Sequence, residues 1–343
     1  MISLTRRSLL KTFSGTALLS GCGTFDVREL VTRRHKASEA LTKIAMGSCL
    51  RENRKQPVWK AIRIAKPDLF VHLGDNVYAD TYSAAQMRSN YARLWSNADY
   101  QALRRAVPVI AIWDDHDYGW NNSGAEYSMK FTSREIFCDF FGELPSSPRR
   151  LQPGGIYTSY IYGPPGKRTQ IILLDVRYER THARMLGNSQ WRWLEAELLK
   201  PAELRLIASG SRVVAEGVGS EEAWENIPEE RHRLFALINR TGAEGVMFVS
   251  GDPHYSDYAV IHDDTVPYPL WDMTSSALNQ SSRAKRYNSR RRVGPYVKPN
   301  FGYIQVNWSG PETSIRLETR SVSGKTVLSH EIPLRTLSRR LVS

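Results

Sequence analysis

Residues 69–78 read LFVHLGDNVY, an apolar run followed directly by a polar motif. The same arrangement recurs at 44–49 (IAMGSC), 107–117 (VPVIAIWDDHD) and 246–254 (VMFVSGDPH). Short apolar runs bounded by turn residues are typical of buried strands. In open α/β sheets, ligands bind beyond the carboxyl ends of the strands. We therefore expect the four polar motifs to meet at one edge of a sheet.

The pattern around these motifs predicts an α/β fold. Strand patterns at 69–73 and 107–113 alternate with helical patterns at 84–95 and 99–105, an order typical of a sheet covered by helices. The last third of the chain is rich in strand patterns. Strands at both ends of the sequence, with helices between them, predict two mixed sheets packed face to face and flanked by helices.

The N-terminal residues predict export. A twin-arginine pair at 6–7 precedes an apolar stretch that is too short to span a bilayer as a mature helix. The stretch ends in LSGC at 19–22, which resembles a lipoprotein lipobox whose cysteine, Cys22, is acylated. We expect a lipid-anchored protein on the periplasmic face of a bacterial cell envelope. The predicted division is a signal peptide at 1–21, a tether at 22–40 and one folded domain at 41–335.

Composition adds two constraints. The 343 residues carry a formal net charge of +12, which favours anionic partners such as phosphate esters, nucleic acid or acidic lipid head groups. With Cys22 lipidated and Cys49 on a metal, only Cys138 remains among the three cysteines, so no disulfide is expected. Cys138 lies in an apolar helical pattern and is expected to be a small buried residue.

The polar motifs carry metal-ligand residue types of two kinds. Tyr78 has an unperturbed pKa near 10, so only a strongly acidic ion such as Fe³⁺ makes its phenolate competitive. Cys49 adds a soft thiolate, which favours iron or zinc. Hard oxygen donors suited to calcium, magnesium or manganese are Asp114, Asp115, Asp117 and Asn122. The motifs thus indicate a softer and a harder subsite, with Asp75 as the bridging carboxylate.

The two histidines of the motifs receive different roles. Asp252 and His254 are two residues apart on an extended segment, so both can point to one ion. His116 lies beside carboxylates and is expected to act as general acid toward a leaving oxygen. For any one of these residues alone, a helix-capping aspartate or a loop histidine is the simpler interpretation. The four motifs together favour the functional one.

These motifs resemble the alkaline phosphatase D (PhoD-like) family of metallophosphatases, which is related to purple acid phosphatases and calcineurin-like phosphoesterases. The resemblance covers about residues 41–280. The fold that it implies is a four-layer α/β/β/α metallophosphoesterase domain. The segments that carry it are Gly47-Ser48-Cys49, Gly74 to Tyr78, Trp113 to Asp117 with Asn121-Asn122, Leu174 to Arg177, and Ser250 to His254.

The resemblance implies a role for each matching residue. Cys49, Asp75 and Tyr78 match the ferric-ion ligands of the family. Asp115 takes the place of the asparagine in the Gly-Asn-His motif of the superfamily, so His116 inherits the catalytic histidine role. Asp252 and His254 fall on the late Gly-His-x-His motif. Asn122 matches a calcium-site asparagine, with Asn121 as the rival, and Asp114 and Asp117 are further ligands or neighbours of ligands.

The remaining candidates concern the substrate. Arg177, in an Asp-x-Arg motif, could clamp phosphate bidentately, and a salt bridge at a sheet edge is the alternative. The basic run 283–292 could overhang the site or could be a solvated loop. Weaker candidates for substrate contact are Asn76, Arg212, Arg283 and Arg286.

The predicted function is hydrolysis of phosphate mono- or diesters by metal-activated water or hydroxide. The expected cofactors are Fe³⁺ at Cys49 and Tyr78 and a Ca²⁺ ion, with Mn²⁺, Mg²⁺ or Zn²⁺ as alternatives. The expected partners are a phosphate ester and, through the lipid on Cys22, the membrane. No stable protein partner is implied, and nucleic acid enters only as a candidate substrate. The alternatives are a phospholipase-type phosphodiesterase and a non-catalytic metal-binding lipoprotein.

Overall fold

The computed structural model describes residues 35–219, 222–282 and 287–339. The predicted signal peptide, Cys22, Arg283 and Arg286 lie outside these residues. The described end of the predicted tether lies against the folded domain, where the Gly163 N–H donates a hydrogen bond to the Ala37 carbonyl (2.8 Å). Among the described residues, no helix is long and apolar enough to cross a membrane.

The described residues form thirteen strands and eight α-helices. The strands are β1 (Lys43–Gly47), β2 (Leu69–Leu73), β3 (Val109–Ile112), β4 (Thr158–Tyr162), β5 (Thr169–Leu173), β6 (Leu204–Ser209), β7 (Val246–Ser250), β8 (Ser256–Ile261), β9 (Leu270–Ser275), β10 (Arg291–Tyr296), β11 (Asn300–Asn307), β12 (Ser314–Ser321) and β13 (Thr326–Pro333). The helices are α1 (Val58–Ala65), α2 (Ala84–Trp95), α3 (Ala98–Ala106), α4 (Asp115–Tyr118), α5 (Lys130–Phe140), α6 (Pro148–Leu151), α7 (Asn188–Leu198) and α8 (Pro228–Thr241).

Both sheets are mixed. One has six strands in the order β13-β12-β11-β1-β2-β3, with β1, β2 and β3 parallel. The other has seven in the order β10-β8-β9-β7-β6-β5-β4, with β5, β6, β7 and β9 parallel. The predicted fold of two packed mixed sheets flanked by helices is therefore confirmed.

Alternation within the buried strands builds the layers. Ile44 and Met46 of β1 belong to the apolar core between the sheets, whereas Ala45 belongs to the core beneath the helices. In β2, Val71 faces the other sheet, and Phe70 packs edge-on against Trp59 of α1, with ring centroids 5.7 Å apart. Successive side chains of a strand point to opposite faces. An entirely buried strand such as β2 therefore requires cover on both faces.

The structure corrects two expectations. The fourth motif follows β7, in the seven-stranded sheet, so a single sheet edge was wrong. The motifs instead meet where the carboxyl ends of parallel strands from both sheets come together, joined by a hydrogen bond from Ser48 N–H to the Ser275 carbonyl (3.1 Å). Part of the predicted basic loop is also a strand, β10, because Arg291 is neutralised by Asp257 (2.7 Å) and can pair against β8.

Candidate metal centre

The polar motifs place their side chains through an unusual backbone. Cys49, Asp75, Asp252 and His254 have φ values of 60°, 50°, 82° and 64°, so the expectation that Asp252 and His254 lie on an extended segment was wrong. This left-handed region is costly for residues other than glycine and is concentrated at functional sites. Gly251 permits the close approach of the two sheets, since a Cβ there would lie 2.6 Å from the Leu73 carbonyl oxygen. The turns that end β1, β2 and β7 therefore converge.

Asp75 lies at the centre of the converging side chains. Its Oδ2 is 3.4 Å from Cys49 Sγ and 3.2 Å from the Tyr78 hydroxyl. The same hydroxyl is 2.9 Å from His254 Nε2. Among the residues that the structure describes, two groups have ligand atoms within 4.8 Å of one another, Cys49 with Asp75 and His254, and Asp75 with Asp115 and His116. Asp75 belongs to both groups, the position expected of a bridging carboxylate.

The electrostatics of the cluster fit a cation. Burial, together with the neighbouring Cys49 and Asp115, raises the pKa of Asp75 well above its ordinary value. Burial, with Asp114 and Asp115 nearby, raises the pKa of Asp252 to about 8. The buried Oδ1 of Asp115 accepts no hydrogen bond from any described residue. Buried acids that repel one another are stabilised in their charged form by a bound cation.

The raised pKa values of Cys49 and Tyr78 also indicate a cation site. Burial raises the pKa of the Cys49 thiol to about 11, although hydrogen bonds from Ser276 and Ser48 oppose it. Burial, with Cys49 and Asp75 beside it, also raises the pKa of the Tyr78 hydroxyl. Both groups are therefore protonated at neutral pH unless a cation displaces the proton. Metal binding by this pair must release protons and strengthen as pH rises.

The pKa values of His254 and His116 are shifted in opposite directions. Burial lowers the pKa of His254, which leaves a neutral imidazole with a lone pair for a metal. Burial would also lower the pKa of His116, but the hydrogen bond to Asp80 and the carboxylates of Asp75 and Asp115 raise it to about 9. A pair of groups shifted apart in this way is the usual mark of a division into ligand and acid.

Asp80 is a functional candidate that the sequence reasoning missed. Its Oδ1 lies 2.7 Å from His116 Nδ1 and also accepts a hydrogen bond from the Asn121 N–H (3.1 Å). It has a left-handed backbone, with φ of 43°. The signal available in the sequence is an acidic residue two positions after Tyr78. It carries no assignment until the contact with His116 is known.

Changing Asp80 to Asn should move the alkaline limb of the pH–rate profile to lower pH. The Asp80 carboxylate raises the pKa of His116, and a general acid loses activity above its pKa. A weaker hydrogen bond in Asp80→Asn lowers the pKa of His116, so activity should fall at a lower pH. A shift of about one pH unit corresponds to ~1.4 kcal/mol. Profiles of kcat/KM for Asp80→Asn and for the exposed control Asp264→Asn test this. An unmoved limb in Asp80→Asn would contradict the role of Asp80.

Asp117 and Asn76 hold the motifs together. The Asp117 carboxylate accepts hydrogen bonds from the main-chain N–H groups of Asp75 (3.2 Å), Asn76 (3.3 Å) and Asp114 (2.8 Å). The Asn76 side-chain amide donates to Asp117 (2.5 Å) and to the Ile112 carbonyl (2.8 Å). Both side chains are buried. They therefore tie the loop after β2 to the loop after β3, and the hydrogen bonds of Asn76 run to the protein interior.

Asn121 and Asn122 contact the site through their main chain. The Asn122 N–H donates to Asp115 Oδ2 (2.7 Å), and Asn121 donates to Asp80 as described above. Both asparagines are exposed. These main-chain hydrogen bonds support a role for Asn121 and Asn122 in orienting the acidic side chains of Asp80 and Asp115. The predicted role of Asn122 as a calcium ligand, with Asn121 as its rival, stays a prediction.

Arg177 lies in a buried ion network. The side chain has no exposed surface, its Nε is 2.5 Å from Asp114 Oδ1, and its Nη2 is 2.6 Å from Glu222 Oε2. Asp115 Oδ1 is 3.7 Å from the same Nη2. This geometry favours the salt-bridge alternative over a phosphate clamp, and it explains why Asp114 is engaged away from the cluster. Arg177 was predicted from its motif, but the burial that decides its role was not visible in the sequence.

Arg212 is equally enclosed. Its guanidinium donates to the Tyr255 hydroxyl (2.9 Å) and lies 5.4 Å from the centre of that ring. The side chain is fully buried. The predicted contact between Arg212 and substrate is therefore not supported by its position. Arginine next to an aromatic face forms a stacked pair that stabilises the interior.

Changing Arg177 to Met should destabilise the protein strongly. Removing one partner of a buried network leaves the Asp114 and Glu222 carboxylates uncompensated, at a cost of about 3–5 kcal/mol. Urea unfolding of Arg177→Met and of the half-exposed control Arg184→Gln measures the difference. If Arg177 instead clamps phosphate, the variant will unfold at the parent urea concentration and will show only weakened phosphate binding.

Comparisons with known proteins bear on this geometry. Residues 44–322 match the family model described as PhoD-like phosphatase. Alkaline phosphatase D of Bacillus subtilis (strain 168) is 23% identical over 274 residues, which is 64% of this chain and 47% of that protein. The matched part thus spans about half the length of this curated relative.

Solved structures show the same fold. A structure of PhoD superposes with a TM-score of 0.69 at 17% identity, covering 91% of this chain and 73% of the other. The purple acid phosphatase PPD1 from yellow lupin (Lupinus luteus) seeds superposes with a TM-score of 0.60 at 14% identity, covering 90% and 57%. Both likenesses establish two packed sheets with flanking helices.

Proposed function

The chain belongs to the PhoD-like phosphatase family, and from this membership we propose that it is a metal-dependent hydrolase of phosphate mono- or diesters. The observation that carries the proposal is the shared position of Asp75. This buried carboxylate has an oxygen within 4.8 Å of the candidate ligand atoms of a softer pair, Cys49 and His254, and of a second pair, Asp115 and His116. Such an arrangement suits two cations with a common ligand.

The residue types suggest which cations these are. Cys49 and Tyr78 fit Fe³⁺, with His254 completing that subsite, and Asp252, whose pKa is raised by burial and by Asp114 and Asp115, is kept as a further ligand without a subsite. Asp115 fits Ca²⁺, and Mn²⁺, Mg²⁺ and Zn²⁺ are the alternatives. When bound, such ions polarise the phosphoryl group and lower the pKa of an attacking water.

The side chains of the protein supply the rest of the chemistry. His116, protonated through its raised pKa, donates a proton to the leaving oxygen of the ester. Asp80 keeps the His116 ring in one orientation through the hydrogen bond to Nδ1, so that Nε2 carries the proton to be donated. Asp117 keeps the loops of Asp75 and His116 in register through its main-chain hydrogen bonds.

Elemental analysis of the purified protein, joined to assays with phosphate mono-, di- and triesters, tests the proposal. We expect bound metal, hydrolysis of at least one ester class and loss of hydrolysis after chelation. Bound metal without hydrolysis of any ester would favour the non-catalytic alternative. Preference for a phospholipid diester would favour the phospholipase-type alternative.

Changing Tyr78 to Phe tests the iron assignment separately. A phenolate bound to Fe³⁺ gives a visible charge-transfer band, so the parent protein should be coloured and Tyr78→Phe should lose the band. Tyr82→Phe, an exposed tyrosine four residues on, is the control. A band that survives in Tyr78→Phe would overturn the role of Tyr78 as a ligand.

We also propose that the protein is exported and lipid-anchored, on the support of the twin-arginine pair at 6–7 and the lipobox ending at Cys22. Expression of the full chain in the presence of labelled fatty acid should label the parent protein and leave Cys22→Ser unlabelled. Equal labelling of both would contradict the anchor. Release of Cys22→Ser from the membrane fraction would support it.

A further inference from the structure

We propose that Arg51 is a substrate-binding residue that contacts a non-bridging oxygen of the phosphate ester beside the metal centre. The inference rests on the proposed function and names a residue that the sequence motifs do not single out. Four observations carry it: the placement of the loop, the stacking of the side chain, the lack of a counter-ion among the described residues and the charge of the surroundings.

The loop that bears Arg51 is held firmly. The Arg51 N–H donates to Asn279 Oδ1 (2.7 Å), and the Arg51 carbonyl accepts from Asn279 Nδ2 (2.8 Å). The preceding Leu50 N–H donates to the Asp75 carbonyl (2.9 Å). Arg51 is therefore fixed between the loop after β2 and the segment after β9, two residues from Cys49.

The side chain lies on one of the expected ligands. The Arg51 guanidinium carbon is 4.2 Å from the centre of the Tyr78 ring. The hydroxyl of that ring contacts both Asp75 and His254. A guanidinium that stacks on an aromatic ring uses its face, and its N–H donors remain in the plane for other partners. The Arg51 guanidinium thus lies against the ring of one candidate ligand, whose hydroxyl contacts two others.

The guanidinium of Arg51 differs from those of other arginines in the domain. Arg177 and Arg180 pair with Glu222, and Arg54 donates a hydrogen bond to the neutral side chain of Gln280. Within residues 35–219, 222–282 and 287–339, the Arg51 guanidinium has no hydrogen bond or ion pair, and its Nε is buried without a partner. A buried donor without a partner is costly, so this arrangement is explained by a ligand that completes it.

The chemistry of the missing partner follows from the surroundings. Guanidinium groups bind phosphate oxygens with two parallel hydrogen bonds. The nearby carboxylates of Asp75 and Asp115 belong to the cluster of candidate ligands, where bound cations would occupy them. A phosphate group at those cations would bring an anionic oxygen within the region that Arg51 borders. The same contact would serve a phosphate ester or inorganic phosphate, the product.

Titration of the metal-loaded protein with inorganic phosphate tests the inference. We expect Arg51→Gln to raise the dissociation constant of phosphate, measured by calorimetry, and the KM of the ester by about 10–100-fold, with a smaller change in kcat. Arg54→Gln removes the same charge from the same loop, in an exposed position, and should bind phosphate as the parent does. Metal content should be equal in all three proteins.

A second variant separates phosphate binding from packing on Tyr78. Millimolar guanidinium should restore part of the phosphate affinity of Arg51→Ala and should leave the parent unchanged. Parent-like phosphate affinity in both Arg51→Gln and Arg51→Ala would overturn the inference. If the parent hydrolyses no ester, the proposed function fails on its own, while the phosphate titration still decides the role of Arg51.

Discussion

Replacing His116 by alanine is expected to lower kcat by about 10²–10⁴-fold while the bound metal content stays at the parent level. The ring is hydrogen-bonded to Asp80 and lies beside two carboxylates that keep it protonated, so its removal takes the proton donor from the site. Elemental analysis and steady-state kinetics on the same preparation measure both quantities.

The choice of substrate sharpens this prediction. A leaving group of low pKa needs little protonation, so the loss in His116→Ala should be small for a nitrophenyl ester and large for an alkyl ester. His262→Ala, which removes an exposed histidine, is the control. Because His116 also lies within ligand distance of Asp75 and Asp115, loss of metal from His116→Ala would show that it is a ligand instead of the acid.

Changing Asp75 to Asn should abolish hydrolysis and reduce the metal content at both subsites. One Asp75 carboxylate serves the group of Cys49 and His254 and the group of Asp115 and His116. Asparagine keeps the shape and removes the charge. Asp139→Asn, at a half-exposed carboxylate on α5, is the control and should retain metal and activity. Full metal content at both subsites in Asp75→Asn would contradict the bridging role.

The metal-free form of Asp75→Asn should be more stable than the metal-free parent above about pH 5. The pKa of Asp75 is raised in the folded state, so the native protein binds the extra proton and loses stability as pH rises from the unfolded pKa through the folded one. Asparagine does not ionise, so the variant does not lose stability in this way. Thermal unfolding of both apoproteins across this range measures the difference, and metal addition should stabilise the parent alone.

The sequence predicted the fold well because apolar composition and packing agree. Strands such as β2 and β7 are entirely buried, and their mostly apolar sequences, LFVHL and VMFVS, mark them clearly. β10 was missed because its charged residues read as a solvated loop. Only tertiary contacts, such as that of Arg291 with Asp257, make these charges compatible with a sheet.

The candidate site was predictable in part, because some of its residues stand in motifs that the sequence shows directly. Short motifs at strand ends carry metal-ligand residue types, so Cys49, Asp75 and His254 could be named from sequence alone. Asp80 and Arg51 could not, because their significance lies in contacts with His116 and Tyr78 that only the folded chain creates. The enclosure of Arg177 depends on Glu222, which is distant in sequence.

The site is built from strained turns because it lies where the ends of β1, β2 and β7 meet, between the two sheets. Glycine at 251 lets the end of β7 approach the end of β2, and four acidic or ligating residues accept left-handed backbone to face one point. Such strain persists only where the surrounding structure over-determines it. The hydrogen bonds of Asp117 and Ser276 to neighbouring loops supply that restraint.

Anomalous X-ray diffraction from crystals of the metal-loaded protein would locate the cations directly. We expect one peak within bonding distance of Cys49 Sγ and an oxygen of Asp75, and a second peak that shares Asp75 and lies beside Asp115. A map without peaks between these side chains, from protein that hydrolyses a phosphate ester, would contradict a catalytic metal centre where the strand ends of the two sheets meet.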